Sequence, residues 1–572
     1  MPSPPGEEGQ DFDTRLPKML HSPEYSDPYA LIGTCNEERR EAPEWNVDDL
    51  ADKPYLAHVK LLSQSWRPLQ QLADWLQIGT APSQWKYLKQ AKYQIEREER
   101  LKRTNLTIIE YHPGQDPTAK LVTTALDLKE ILSNLEHEPN EIPPTRLFIV
   151  EDLSREVIEL LGSAFDVDPL FFREHIEDYV WHNTRDPWAM PPSLMSSIKR
   201  RSWFRVRNAR LRYYADSDSF MTAKLEANYW NVLRRPDDDN NHWQYRDADN
   251  AVVSITRTKS TIWIGADKNR TGGTVCIVLL DPTTKEGKPL WYDRASWLPT
   301  LSMKEPNMPE LSKLSKSWYK DIVQMTLMYP WFEPHGDHDT VDPRVFALPT
   351  IYTISAEWLI VCDYVKARLS QIEWELELPK VFRAGSRIED SSRRLFTWRR
   401  QIPIFREMIT ETLDQAIPVA VHLTSGVMND FDETRLEFDR ILRIVDDLQV
   451  RVERLTAEIN AAASLEDARR SGQENHSLAR LTWLASIFIP LTFVTGLFSM
   501  NEDIAALATT YKWFFATGIP FTVILAALGV ILKSSWWNEK QDKNARRREA
   551  RKRNKRSDPT LEYLERRKSA KR

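Results

Sequence analysis

Between Arg480 and Glu502 the sequence reads LTWLASIFIPLTFVTGLFSMN, which is 21 residues without a charged side chain. A second uncharged run, of 20 residues, lies between Lys512 and Lys533. A helix needs about 20 predominantly apolar residues to cross the hydrocarbon core of a bilayer, so each run is long enough for one span. The sequence therefore predicts transmembrane helices at residues 478–500 and 512–533, joined by a short loop at residues 501–511.

The charges around this pair predict its orientation. Residues 533–572 contain sixteen Lys or Arg and six Asp or Glu, a net charge of +10, and because the whole chain carries -5 the preceding 532 residues carry -15. The connecting loop has two acids, Glu502 and Asp503, and no base. Basic residues accumulate on the cytosolic side of membrane proteins, so we expect both termini in the cytosol and the loop on the other side. The expected location is the plasma membrane.

The predicted cytosolic tail, residues 534–572, contains the basic cluster RRREARKRNKR at residues 546–556. Such a cluster, standing alone, is typical of nuclear-import or nucleic-acid-binding segments. Placed directly after a membrane span, it is more simply a topology anchor that also attracts anionic lipid headgroups. We therefore expect the lipid bilayer, and no nucleic acid, as its partner.

A long helix is predicted at residues 428–477, directly before the first span. Apolar residues there are spaced alternately three and four apart over about four heptads, which is an a/d seam. The seam consists of Phe438, Ile441, Val445, Leu448, Val452, Leu455, Ile459 and Ala462. Taken alone, such a seam is typical of a core helix in a bundle. With a membrane span following it, the seam favours a coiled-coil stalk that leads into the bilayer.

The remaining sequence predicts a cytosolic body. Residues 1–50 carry acids and prolines and are expected to be flexible, residues 51–345 predict a mixed α/β domain with polar insertions, and residues 346–427 predict a helical part. One insertion, Arg234–Asn250, is expected on the surface because it is polar and acidic. The strand candidates are Leu147–Val150, Trp203–Tyr214, Val252–Gly265 and Thr274–Leu280. Ser154 and Asp168 are predicted to be the N-cap residues of two helices.

The sequence does not predict an enzyme. Cys35, Cys276 and Cys362 are far apart and none lies in a C-x-x-C pair, which argues against a zinc ribbon or a redox dithiol. No nucleophile elbow, zinc-protease motif, dinucleotide fingerprint or phosphate-binding loop occurs. No covalently bound cofactor is expected.

One face of the first predicted span carries a stripe that mixes apolar, small and hydroxyl side chains. At helical spacing it contains Leu478, Leu481, Ala485, Ile489, Thr492, Gly496 and Ser499. Small residues permit close approach of a neighbouring helix, so the stripe is compatible with a helix-packing face. The same mixture suits a narrow pore with a hydrophobic constriction and a polar ring. Two helices do not enclose a water-filled path, so a pore requires several subunits around an axis.

The run from Asn475 to Asn501 resembles the CorA superfamily of divalent-cation channels and transporters. IFIPLTF at residues 487–493 matches the core of the family's first span, and Met500-Asn501 matches its outer end. The stalk, the two spans, the acidic loop and the basic tail follow in the family's order. The long N-terminal body resembles the fungal, ZntB-like branch of the superfamily.

This resemblance implies a CorA-like funnel, in which an α/β cytosolic domain is followed by a long stalk helix and two C-terminal transmembrane helices, assembled as a homopentamer. It implies a selectivity filter of Ser499, Met500 and Asn501, whose amides hydrogen-bond the water shell of a hydrated cation. Mg²⁺ gives up water reluctantly, so recognition of the hydrated ion is chemically sensible. The implied pore-lining residues are Asn475, Leu478, Leu481, Ala485, Ile489, Thr492 and Gly496. Glu502 and Asp503 would concentrate cations at the mouth.

The sequence departs from the family at the filter, where the signature glycine is replaced by Ser499. Glycine adopts positive φ readily, whereas serine does so only at a cost. Three outcomes are open for this chain: conduction as in the family, a selectivity altered toward zinc or another divalent cation, or a silent paralogue that keeps the fold.

Two further segments have the residue types of metal ligands. His335 and His338 lie in an acidic segment, for which a solvated loop is favoured over a metal site. Glu466 and Asp467, near the base of the stalk, are candidates for a regulatory metal site by location only. The first hypothesis is a channel or transporter for Mg²⁺, Zn²⁺ or Co²⁺ that cytosolic metal closes. The alternative is a non-conducting, membrane-anchored assembly or signalling protein with the same fold.

Overall fold

The computed structural model describes residues 50–80, 88, 90–112, 116–135, 145–177, 190–239, 248, 250–267, 273–290, 303–304, 317–328, 343–377, 388–424, 431–499 and 507–533. The N-terminal residues 1–49 and the basic tail, residues 534–572, lie outside this set. The chain divides into two compact units, Met1–Ile459 and Asn460–Arg572.

The first unit mixes helices and strands, and the second is helical. The helices are α1 (Pro54–Ser65), α2 (Gln70–Ile78), α3 (Gln94–Lys102), α4 (Ala125–Leu135), α5 (Arg155–Phe165), α6 (Pro169–Ile176), α7 (Met195–Ile198), α8 (Ser217–Asn228), α9 (Trp318–Met328), α10 (Leu348–Glu377), α11 (Ile388–Glu411), α12 (Ile417–Leu423), α13 (Asp432–Phe498) and α14 (Leu507–Lys533). The strands are β1 (Leu106–Tyr111), β2 (Thr118–Val122), β3 (Thr145–Glu151), β4 (Trp203–Tyr214), β5 (Pro236–Asp238), β6 (Val252–Ala266), β7 (Thr274–Leu280) and β8 (Lys288–Pro289). A π-helical segment, Thr412–Ala416, separates α11 from α12.

The described strands form one mixed sheet in the order β2-β1-β3-β7-β6-β4-β8, and β5 also pairs with β6. Strands β3 and β7 run parallel, with Leu147 opposite Cys276, and the other pairs are antiparallel. The predicted strands at residues 147–150, 203–214, 252–265 and 274–280 all lie in this sheet. An α/β domain followed by long helices is therefore confirmed.

The sheet is buried on both faces, which explains the apolar run at residues 147–150. Leu147 and Ile149 of β3 belong to a core that also contains residues of α9, α10 and α11. Phe148 and Val150, which point to the other face, belong to a second core with α1, α2, α5 and α6. A strand that is covered on both faces needs apolar residues at every position, so the alternation typical of a half-exposed strand is missing.

Two helix starts follow the sequence prediction. The Ser154 hydroxyl accepts a hydrogen bond from the Val157 amide at the start of α5. The Asp168 carboxylate accepts one from the Leu170 amide at 2.9 Å, and Pro169 occupies the first turn of α6. Both side chains satisfy amides that have no partner within the helix.

The a/d seam of α13 packs inside its own chain. Its first seven residues, Phe438 to Ile459, are buried in the same core as α10 and α11. Ion pairs flank the seam: Arg406 of α11 lies 2.6 Å from Asp446, and Arg454 lies 2.6 Å from Glu373 of α10. From Phe438 to Ile459, α13 therefore packs as a core helix of a bundle with α10 and α11.

The surface insertion predicted at Arg234–Asn250 is wrong for Arg234, which is buried, and for residues 236–238, which belong to the sheet. Residues 236–238 form β5 against β6, and the Arg234 side chain is 1% exposed. Its Nε donates to Asp281 Oδ2 at 2.6 Å, and Asp281 itself is fully buried. The stretch is polar because it supplies one half of a buried ion pair, whose other half directly follows β7.

Replacing Gly162 by alanine is expected to destabilise the α/β domain. A Cβ at this position of α5 would lie 2.5 Å from Tyr55 Cε1, and the Tyr55 ring is fixed because its hydroxyl donates to the Val167 carbonyl at 2.6 Å. Overpacking of this kind costs about 1–3 kcal/mol, which exceeds the gain of up to about 1 kcal/mol in helix propensity. Thermal unfolding, followed by tryptophan fluorescence, measures the loss. Ser163→Ala, at the exposed neighbouring position, is the control, and equal melting temperatures for the two variants would contradict this packing.

Candidate functional site

Three residues of the predicted stripe, Ile489, Thr492 and Gly496, lie on the side of α13 away from α14. Val494 of α13 contacts α14, since a Cβ built on Gly518 would lie 3.5 Å from Val494 Cγ1. Val494 is two residues from both Thr492 and Gly496, about 200° around a helix of 3.6 residues per turn. This part of the stripe therefore lies opposite the α13–α14 contact. Accordingly, Ile489 is 68% exposed, and a Cβ built on Gly496 would have no atom within 4 Å.

Thr492 is the hydroxyl residue in the middle of this exposed stripe. Its Oγ1 donates to the Phe488 carbonyl at 2.7 Å, one turn earlier in α13. The hydroxyl hydrogen is thereby directed back to the helix, and the oxygen lone pairs remain available as acceptors. A ring of such oxygens is suited to accept hydrogen bonds from the water shell of a cation.

Ser499 continues the helical hydrogen-bonding pattern at the end of α13. Its amide donates to the Thr495 carbonyl at 2.9 Å. Among the described residues, the non-glycine positions with positive φ are Asp152, Asp166 and Asn250, so Ser499 does not adopt the left-handed conformation that favours glycine. The backbone at this position accommodates serine without strain.

Several predicted site residues lie outside what the structure describes. For Asn475, Leu478 and Leu481 only the helical backbone is described, within α13, whereas Ala485 is half-buried. Met500, Asn501, Glu502, Asp503, His335 and His338 lie outside the described residues altogether.

Two further predictions concern metal binding and membrane spans. Glu466 and Asp467 are exposed on α13. Within the described ranges, no three or more His, Cys, Asp or Glu side chains are grouped so as to hold a metal ion. Over the positions that the structure describes, no helix is long and apolar enough to cross a membrane. The two spans at residues 478–500 and 512–533 stay predictions.

A charged cavity in the first unit was not predicted from the sequence. It has a volume of about 900 Å³, and eleven of its lining residues are charged. Its floor is one face of the sheet, where Arg207 of β4 is paired with Lys259 of β6, while Arg205 and Arg257 occupy neighbouring positions of that face. The sequence does contain a signal for this charged face, because basic residues two apart in a strand point to the same side of the sheet. Such pairs occur at residues 205 and 207 and at residues 257 and 259.

Arginines of β4 connect the sheet to α11 across this cavity. Arg205 Nε donates to Glu411 Oε1 at 2.7 Å, and Arg205 also pairs with Glu174 of α6. Arg207 pairs with the same Glu411 and, at 2.8 Å, with Glu407. Burial alone would lower the pKa of Arg205, but the carboxylates of Glu174 and Glu411 raise it above its ordinary value. Glu411 is the last residue before the π-helical segment, so the network fixes the end of α11 to the sheet.

Among the bases that line the cavity, Lys259 is the most buried, at 1% exposed. Its Nζ donates to the carbonyl oxygens of Glu174 at 2.9 Å and Glu177 at 2.7 Å, at the carboxyl end of α6. Burial lowers the pKa of Lys259 to about 7, although Glu177 acts in the opposite direction. The sheet side of the cavity is thus a wall of arginine and lysine side chains.

Residues 341–532 match the model of the family described as CorA-like Mg²⁺ transporter protein. This part of the chain is similar to that family and is referred to as the CorA-like domain. The match includes α10, α11, α12, α13 and nearly all of α14, and therefore the exposed stripe. The sheet and its charged cavity lie mainly in the region before the CorA-like domain.

Two solved structures are similar to the chain at 10% sequence identity. The CorA magnesium transporter from Methanocaldococcus jannaschii is similar over 74% of this chain and 96% of its own, with a TM-score of 0.36. The full-length CmaX protein is similar over 69% of this chain and 86% of its own, with a TM-score of 0.31. No curated protein matches the chain.

Proposed function

We propose that this protein moves Mg²⁺ or a similar divalent cation across a membrane through a homo-oligomeric pore lined by α13. The observation that carries the proposal is the direction of the stripe: within the CorA-like domain, Ile489, Thr492 and Gly496 lie on the face of α13 opposite the contact with α14. If the stripe packed against α14, its side chains would be buried within one subunit and could not line a pore. Left exposed, it is available to line a path between subunits.

The proposed path combines residues of different chemistry. At the outer end, Ser499, Met500 and Asn501 form the filter, and Glu502 and Asp503 attract cations to it. Thr492 provides hydroxyl oxygens that accept hydrogen bonds from bound water, and Ile489, Leu481 and Leu478 narrow the path toward Asn475. The cation is cargo in this proposal, and no enzymatic step is involved.

The assembly that we propose is a homopentamer of the fungal, ZntB-like branch, with two spans and both termini in the cytosol, in the plasma membrane. Cytosolic metal closes the pore by binding near Glu466 and Asp467. Two adjacent carboxylates do not complete an oxygen-rich coordination sphere, so the remaining ligands at such a site come from a neighbouring subunit or from water.

Replacing Thr492 by valine is expected to reduce Mg²⁺ influx at least about tenfold, because every subunit loses one water-binding oxygen and the loss of only two hydrogen bonds of about 1 kcal/mol each already exceeds a factor of about ten. The measurement is uptake into liposomes that contain a magnesium-sensitive dye. Thr517→Val on α14 is the matched control, since its hydroxyl also donates to a carbonyl one turn back, Trp513 O, at 2.7 Å. Equal influx for the two variants would show that the stripe does not line the path. If purified oligomers are silent to Mg²⁺ and Zn²⁺, a non-conducting assembly role replaces transport.

A further inference from the structure

The charged cavity of the first unit has the size and chemistry of a ligand site that is separate from the proposed pore. Its volume of about 900 Å³ lies in the range of cavities that hold small molecules. Six of its lining residues are basic and five are acidic. Of these charged residues, the strands contribute only bases, Arg205, Arg207, Arg257 and Lys259, whereas α11 and the π-helical segment contribute three acids, Glu407, Glu411 and Asp414, and one base, Arg406.

Arg201 is a base of this cavity that makes no ion pair with another described residue. It is half-buried, its Nη2 donates to Ser193 Oγ at 2.7 Å, and its guanidinium lies 4.7 Å from the centre of the Trp203 ring. Among the described residues, no carboxylate lies within 4.0 Å of its nitrogens. Burial lowers the pKa of Arg201, although the carboxylates of Glu174 and Asp168 act in the opposite direction. Because removing a charge from water is costly without a counter-charge, this position favours an anionic partner from outside the chain.

The shared contact of Glu411 shows how the sheet side binds an acid. One carboxylate oxygen accepts from Arg205 and the other pairs with Arg207, so two guanidinium groups surround one anionic group. Fork-shaped donors of this kind suit phosphate, which offers three oxygens and about two negative charges, better than they suit a single carboxylate. On the opposite side of the cavity, the carboxylates of Glu407 and Asp414 can accept hydrogen bonds from the part of the ligand that does not carry the phosphate.

We propose that this cavity binds a small phosphate-bearing molecule, of the size and polarity of a nucleoside phosphate, with Arg201 as the residue that receives the phosphate. The proposal does not depend on transport. A bound ligand would bridge the sheet and the carboxyl end of α11, which places it beside the Glu411 contact.

Isothermal titration of the purified full-length protein with ATP and with pyrophosphate, in EDTA, tests the proposal. Wild type is expected to bind at least one of these probes, and Arg201→Gln is expected to weaken that binding about tenfold or more, since a charge-assisted hydrogen bond is lost. Arg440→Gln, which removes an exposed base paired with Glu437, is the control and should bind as wild type does. The proposal would be overturned if wild type bound neither ATP nor pyrophosphate at about 1 mM. Equal affinity of wild type and Arg201→Gln for the bound probe would overturn it as well.

A second variant keeps the test decisive if Arg201→Gln does not fold. Asp414 is exposed and lies on the α11 side of the cavity, so Asp414→Lys is expected to fold and to tighten binding several-fold by replacing a repelling charge with an attracting one. An affinity for ATP and pyrophosphate that this charge reversal leaves unchanged would place the ligand outside the cavity and refute the assignment. Binding of pyrophosphate alone would identify a phosphate site without a nucleoside pocket, which still supports the proposed chemistry.

Discussion

Replacing Asn501 by alanine is expected to abolish Mg²⁺ influx or to remove its selectivity. In the proposed assembly, one Asn501 side chain per subunit forms a ring whose amide oxygens accept hydrogen bonds from the water shell of the ion. Alanine removes every one of these acceptors at once, and Mg²⁺ does not readily exchange its water for other ligands. Since each hydrogen bond contributes about 1 kcal/mol, the loss of a whole ring amounts to several kcal/mol, or at least a hundredfold in flux.

The matched control for this variant is Asn460→Ala. Asn460 is an exposed amide on α13, far along the helix from the stripe, and its replacement is expected to leave influx unchanged. Uptake of Mg²⁺ and of Zn²⁺ should be compared for both variants at equal protein content. If Asn501→Ala and Asn460→Ala transport Mg²⁺ as wild type does, Asn501 is not part of the filter.

Replacing Arg234 by methionine is expected to reduce the free energy of unfolding of the α/β domain by about 3–5 kcal/mol, because it leaves a buried carboxylate without its counter-charge. The Arg234 and Asp281 side chains are 1% and 0% exposed and lie 2.6 Å apart. Arg234 also donates from Nη2 to the His175 carbonyl at 2.8 Å, so the variant loses a link between α6 and the strands. Burial, together with the charges of Arg234 and Lys259, lowers the pKa of His175, so this imidazole is neutral in the wild-type protein.

Denaturant unfolding at constant pH measures this loss. Arg235→Met is the control, because the Arg235 side chain is 65% exposed and its pair with Asp237 is a surface salt bridge worth about 0–1 kcal/mol. A difference of less than about 1 kcal/mol between the two variants would mean that the Arg234–Asp281 pair is not the buried connection described above.

Elements that depend on local pattern could be predicted from the sequence. The run at residues 147–150 is apolar throughout because two cores cover β3. The seam is regular because one side of α13 is buried from Phe438 to Ile459. Ser154 and Asp168 precede their helices directly, so their capping roles required no knowledge of distant residues.

Interactions between distant segments could not be predicted. The sequence places Arg234 in a surface insertion because its partner, Asp281, lies 47 residues away and meets it only after β5 and β7 join the sheet. The sequence does not predict the charged cavity for the same reason: Arg205 and Glu411 are 206 residues apart. For the proposed pore, the sequence provided the stripe on α13, whereas the Val494–Gly518 contact was needed to learn which way the stripe faces.

The most direct test of the central claim is Mg²⁺ influx into liposomes that contain the purified wild-type protein, with and without cobalt(III) hexammine outside. The hexammine ion has about the size and the octahedral shape of hydrated Mg²⁺, carries a higher positive charge and does not release its ligands, so it should occupy a site that recognises a hydrated ion. We predict dye-detected Mg²⁺ influx that the hexammine blocks. Confirmed oligomers that admit neither Mg²⁺ nor Zn²⁺ would contradict the account and assign the protein a role without conduction.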